Sequence, residues 1–125
     1  MKPNLHEIRK TFRFEAAHFL PRLPETHPCS RIHGHSYEVT LIVRGELNPQ
    51  YGWVMDFSEI KKIASIWIDR LDHRLLNETE GLENPTSEIL AEWFYHGLKP
   101  ALTALVQIVV CETCTSETRY PASTS

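Results

Sequence analysis

Apolar and polar residues alternate from position 7 to position 18: Ile8, Phe12, Phe14 and Ala16 share one parity, and Arg9, Thr11, Arg13 and Glu15 the other. A period of two predicts a strand with one dry face, and His18 continues the dry parity at its end. Pro21, Pro24 and Pro28 make residues 20–32 a loop. The alternation returns over His33–Glu46, with Tyr37, Val39, Leu41 and Val43 opposed by Ser36, Glu38, Thr40 and Arg44. Leu47-Asn-Pro-Gln-Tyr-Gly reads as a turn, and Trp53-Val-Met as a returning strand.

The period then changes. Asp56-Phe-Ser-Glu59 resembles a capping box, and Ile60, Ile63, Ala64, Trp67, Ile68 and Leu71 follow at helical spacing, which predicts a helix over 58–72. Residues 77–85 are a turn-rich connection. Pro85-Thr-Ser-Glu88 opens a second helix with Ile89, Leu90, Trp93, Phe94 and Leu98 on one stripe, and Pro100 ends it. Residues 105–112 read as a strand that pairs with 117–120. Strands, two helices, then strands predict an α+β domain, an antiparallel sheet with helices on one face. The uncovered face would carry Arg9, Thr11, Arg13, Glu38, Thr40 and Arg44, suited to water or to a wet oligomeric interior.

At 125 residues the chain is expected to form a single domain over 1–125. A net charge of −3 without a basic run argues against nucleic acid and anionic membranes as partners. No stretch approaches the roughly 18 consecutive apolar residues of a membrane span, and the first residues lack the apolar core of a secretory signal. A soluble, cytoplasmic protein is the expectation. The Ser/Thr-rich end after Pro121 is expected to fray. Three cysteines, an odd number, disfavour a disulfide framework. Cys111 and Cys114 form a lone C-x-x-C with no second pair, a motif of low specificity.

Seven histidines occur, and three stand apart. His33 and His35, two apart at a strand start, point to the same face, and Gly34 between them would let backbone approach a ligand. Antiparallel pairing through the 20–32 loop would bring His18 to them. Three neutral imidazoles suit tetrahedral Zn²⁺ with a fourth position for water or substrate. Any one of them also reads as an ordinary polar residue at a strand end, and His27 or Cys29 could close the site into a structural one.

Cys29, four residues before His33, is either a thiolate favoured by a nearby metal or a buried loop thiol. Asp72-His73 ends the first helix as an acid/base pair or as helix-end charge complementation. Glu112 lies on the dry parity of the 105–112 strand, behind Val106, Ile108 and Val110. There it either holds a guanidine-like heterocycle edge with two parallel hydrogen bonds or marks where the strand reaches solvent.

Phe14-Glu-Ala-Ala-His18, Cys29-Ser-Arg-Ile-His-Gly-His-Ser-Tyr37, Met55-Asp-Phe57, Leu71-Asp-His73, Glu83-Asn-Pro-Thr-Ser-Glu88 and Cys111-Glu-Thr113 occur in this order. Together they resemble the 6-pyruvoyltetrahydropterin synthase family from about residue 7 to 120. The short spacing from Cys29 to His33 resembles the bacterial branch that forms 6-carboxy-5,6,7,8-tetrahydropterin in the queuosine pathway. The resemblance implies a tunnelling fold: a four-stranded antiparallel sheet with two helices on one face. Trimers would close into a barrel, commonly stacked as hexamers, with active sites between subunits. It implies Zn²⁺ on His18, His33 and His35, Cys29 as proton acceptor, and Asp72 and His73 as a relay. Glu112 would anchor a pterin with help from Thr86 and Ser87. The implied reaction converts 7,8-dihydroneopterin triphosphate to the carboxytetrahydropterin, acetaldehyde and triphosphate. The alternatives are triphosphate elimination to 6-pyruvoyltetrahydropterin and, from another class, a non-catalytic zinc-binding structural module.

Overall fold

A computed structural model describes residues 4–113 and 115–124. The long alternating stretches form β1 (Leu5–His18) and β2 (His33–Glu46), paired antiparallel along their whole length from Leu5 opposite Glu46 to His18 opposite His33. Helix α1 (Phe57–Asp69) starts where the Asp56 carboxylate accepts from the Ser58 N–H at 2.9 Å. After it come β3 (Arg74–Leu75), α2 (Ser87–Leu98), β4 (Leu105–Thr113) and β5 (Ser116–Tyr120). The Thr86 hydroxyl caps α2 by accepting from Ile89 N. Helix α1 stops at Asp69 rather than 72, but the turn that follows still buries Leu71.

The sheet order is β3-β1-β2-β4-β5, and it corrects the expectation of four antiparallel strands: there are five, and the sheet is mixed. The extra strand, β3, lies parallel to β1 through Ala16–Arg74 and Ala17–Leu75. It covers the open edge of β1 where the chain returns from α1, and two residues are too few to show a period. Trp53-Val-Met is not a strand. The Asn48 side chain instead gathers the N–H groups of Gln50 and Tyr51, and Gly52 turns with φ 75°. β2 has β1 on one side and β4 on the other, so β2 itself has no free edge for a strand returning beside it. A bulge between Ile42 and Val43 also shifts the register of β4. Leu105, not Val106, therefore joins Ile108 and Val110 in the core.

One face of the sheet is dry. Phe14, Tyr37, Val39, Leu41 and Val43 pack in one cluster with Ile60, Ala64 and Ile68 of α1 and Leu90, Ala91, Phe94 and Leu98 of α2. The other face pairs its polar residues across strands: Thr11 with Thr40 at 2.8 Å, Arg13 with Glu38, and Arg44 with Glu7 at 2.8 Å. The C-terminal segment crosses this face instead of fraying. The Gln107 side-chain amide donates to Pro121 O at 2.9 Å and the Arg44 guanidinium to Thr124 Oγ1 at 2.8 Å. Ile42 and Val109 on the same face are 1% and 4% exposed. No described helix is long and apolar enough to cross a membrane.

The two helices touch through Gly97, where an added Cβ would lie 2.5 Å from the Trp67 ring. Trp67 is itself wedged edge-on against Trp93 and beneath Arg70. Gly97→Ala is therefore expected to destabilise the fold by about 1–2 kcal/mol in denaturant unfolding, despite alanine's better helix propensity. A neutral or stabilising result would show that Trp67 moves aside without loss.

Candidate active site

The antiparallel register of β1 and β2 builds the site. His18 closes β1 opposite His33, and His35 follows on the same face, opposite Ala16. One nitrogen from each of the three rings lies within 4.8 Å of the others. His18 is 1% exposed. Its Nδ1 lies 2.8 Å from the carbonyl of Pro85, just ahead of α2, and His33 Nδ1 lies 2.7 Å from the carbonyl of Arg31. A carbonyl only accepts, so both Nδ1 atoms carry the proton and both Nε2 atoms present lone pairs.

Those two Nε2 atoms face each other at 3.0 Å. Two lone pairs repel at that distance unless one ring takes a proton or a cation sits between them. Burial lowers the pKa of His18 despite the Pro85 contact, and His33 and His35 lower it further. Burial, then His33, lowers that of His35. Protonation is thus disfavoured, and the donor set fits a divalent metal. Tetrahedral Zn²⁺ with bonds of ~2.0–2.1 Å would hold such nitrogens about 3.3 Å apart. The carbonyls of Pro85 and Arg31 are the outer contacts that fix the rings.

Glu112 Oε2 stands 3.8 Å from His35 Nε2. Burial raises its pKa, His33 opposes that, and Glu88 adds to it. Tyr37 forms the floor. Its ring stacks on Phe14 at 5.0 Å and meets His18 and His35 edge-on at 5.9 and 5.6 Å. Its hydroxyl is buried without a hydrogen-bond partner.

Cys29 is half-buried in a single 3₁₀ turn, Pro28–Ser30. Its N–H donates to His27 Nδ1 at 3.1 Å. Neither Cys29 nor His27 joins the three-histidine group, so among the described residues nothing closes it into a four-ligand site. Cys114 lies outside the described residues, and Cys111 is half-buried and forms no disulfide.

Asp72 and His73 lie at the β3 edge of the sheet. They precede β3, and β1 and β2 separate that edge from Glu112 on β4. Asp72 Oδ1 accepts from Glu15 N at 2.9 Å and lies 2.9 Å from His73 Nδ1. The Glu15 N–H, then His73, holds the Asp72 carboxyl low. His73 adopts φ 61°, and its side chain is 79% exposed. His73 borders a cleft of about 470 Å³ lined also by Glu15, Gly34, His35, Ser36 and Arg74 among others. Gly34 therefore opens toward this cleft. A Cβ there would meet only Ala16 O at 3.7 Å, so no close approach requires glycine.

The hydroxyls of Thr86 and Ser87 are engaged: Thr86 caps α2, and Ser87 Oγ lies 3.0 Å from Glu88 Oε1 and 2.9 Å from Thr118 Oγ1. Sequence reasoning missed the Pro85 and Arg31 carbonyls and Glu88. Backbone acceptors leave no trace in residue identity. Glu88 read only as part of a helix start.

An α+β domain that converges three imidazoles and a half-buried carboxylate at one sheet end defines a candidate enzyme site able to hold a metal ion. The chain matches the family model "6-pyruvoyl tetrahydropterin synthase" over residues 7–123 and belongs to that family of enzymes. It is 41% identical over 119 residues to the 6-carboxy-5,6,7,8-tetrahydropterin synthase of Synechocystis sp., covering 90% of this chain and 91% of the relative. It is 35% identical over 130 residues to the Bacillus subtilis protein of the same name, covering 94% and 86%. Among solved structures, 6-pyruvoyl tetrahydropterin synthase of Caenorhabditis elegans superposes with a TM-score of 0.89 at 27% identity, covering 98% of this chain and 99% of that one.

Proposed function

We propose that the protein is a zinc-dependent carbon–carbon lyase converting 7,8-dihydroneopterin triphosphate to 6-carboxy-5,6,7,8-tetrahydropterin, acetaldehyde and triphosphate. Its place would be the cytoplasm, in 7-deazaguanine and queuosine biosynthesis. The observation that carries the reading is the pair of carbonyl-fixed imidazoles whose Nε2 lone pairs meet at 3.0 Å beside Glu112. The names of the Synechocystis and Bacillus relatives support the carboxy-forming branch.

His18, His33 and His35 would hold the metal, which when bound supplies a Lewis acid for oxygens of the substrate side chain. Glu112 would accept two parallel N–H bonds from the pterin's guanidine-like edge and fix the ring. The start of α2 at Thr86 and Ser87 would flank that ring. Cys29 would take a proton from the substrate side chain, and Asp72–His73 would return one. Asp72 Oδ1, 2.9 Å from His73 Nδ1, would orient that ring. The separation of that pair from Glu112 favours a site shared between copies, in a trimer-based barrel and a hexamer. The polar, cross-paired sheet face would then line the interior.

A second reading, triphosphate elimination to 6-pyruvoyltetrahydropterin, draws on the likeness to the C. elegans structure. A structural zinc module is less well supported, because three nitrogens leave a coordination position that no described side chain fills. Incubating zinc-loaded protein with 7,8-dihydroneopterin triphosphate discriminates them. Acetaldehyde and carboxytetrahydropterin are expected in equal amounts. A pyruvoyl product without acetaldehyde would select the second reading, and no turnover at all would favour the third.

A further inference from the structure

Tyr37 is the one buried side chain among the described residues whose polar atom has no partner. An orphaned buried hydroxyl is costly, and replacing it by hydrogen would relieve the cost if the ring were there only to pack. The ring alone satisfies the packing: it stacks on Phe14 with planes 8° apart and supports the edges of His18 and His35. The hydroxyl therefore requires a separate explanation.

Its position supplies one. Glu38 pairs with Cys111 and Val39 with Val110. Tyr37 and Glu112 come next along the two strands and both stand beside His35: the Tyr37 ring centroid lies 5.6 Å from that of His35, and Glu112 Oε2 lies 3.8 Å from His35 Nε2. Glu112 has no side-chain hydrogen bond among the described residues: its ionic neighbour is His35 Nε2 at 3.8 Å, beyond hydrogen-bonding range, and water reaches its half-buried carboxylate. His35 is also committed to the three-nitrogen group. A pterin lying on Glu112 would strip the carboxylate of water while using only part of its acceptor capacity. Leaving the rest bare in a dry site is unfavourable.

We infer that Tyr37 is the positioning residue of Glu112: when a pterin edge covers the carboxylate, the Tyr37 O–H donates to it and holds its plane for the two parallel ligand bonds. This rests on the reading of Glu112 as a pterin anchor. No proton is transferred; the phenol remains a phenol and gains the acceptor it lacks.

The test is Tyr37→Phe in the full-length, zinc-loaded protein, with neopterin as an unreactive probe titrated by fluorescence. Zinc per chain should be unchanged and the unfolding midpoint equal or higher, since an orphan has been removed. The Kd for neopterin should rise about ten- to thirtyfold, as for loss of a hydrogen bond to a charged group. In a Glu112→Gln background, Tyr37→Phe should change Kd by less than about twofold, a coupling that a purely structural tyrosine would not show. Unaltered neopterin affinity in Tyr37→Phe, or an equal loss in both backgrounds, overturns the inference and leaves the pterin reading intact. Wild-type protein that binds no pterin overturns both.

Discussion

His33→Ala is expected to empty the metal site and lower turnover by about three orders of magnitude while the domain stays folded. His33 is the best position for this test because it is half-exposed at the first residue of β2, with the Arg31 carbonyl as its outer partner. Its loss opens no cavity in the core. His18→Ala would be ambiguous, since that ring is buried and contacts Tyr37, His33 and His35. With two imidazoles left, zinc should wash out on dialysis against a mild chelator, while the unfolding midpoint of the metal-free protein shifts little. Stoichiometric zinc retained by the His33→Ala variant would refute the three-histidine assignment.

Cys29→Ala should show the opposite separation: full zinc content, an unchanged fold, and turnover reduced by roughly 10²–10⁴ for loss of an acid–base group. The expectation of an intact fold follows from its setting. Cys29 occupies a short surface turn held by its backbone, through Leu20 N–H to Cys29 O at 2.8 Å and Cys29 N–H to His27. Alanine keeps both bonds. Zinc analysis beside steady-state rates decides the matter. If the variant loses its metal, the thiol is a fourth ligand and the role of proton acceptor fails.

Much of this architecture could be read from the chain because it rests on period. The parity that places Phe14, Tyr37 and Val39 in the core also carries His18, His33 and His35 to one end of one face. Helices α1 and α2 declared themselves by their apolar stripes and caps. Features without a period were hidden. β3 has two residues, the bulge at Ile42–Val43 depends on how β4 meets β2, and the Asn48 turn took the place of a strand because β2 has neighbours on both sides. Tyr37 was visible only as an apolar-parity residue. Its unmet hydroxyl belongs to three-dimensional packing. The two strands between Asp72–His73 and Glu112 are likewise tertiary, since motif order says nothing about which motifs meet within one copy.

The pinned carboxyl-terminal segment has a practical side. A peptide fused beyond it would emerge on the very sheet surface that barrel closure would need, tethered by Arg44 and Gln107. A fusion ahead of Leu5 would instead leave from the strand end opposite Glu46, roughly 40 Å along β1 from His18. Purification handles and fluorescent reporters therefore belong at the amino end, far from the histidine group.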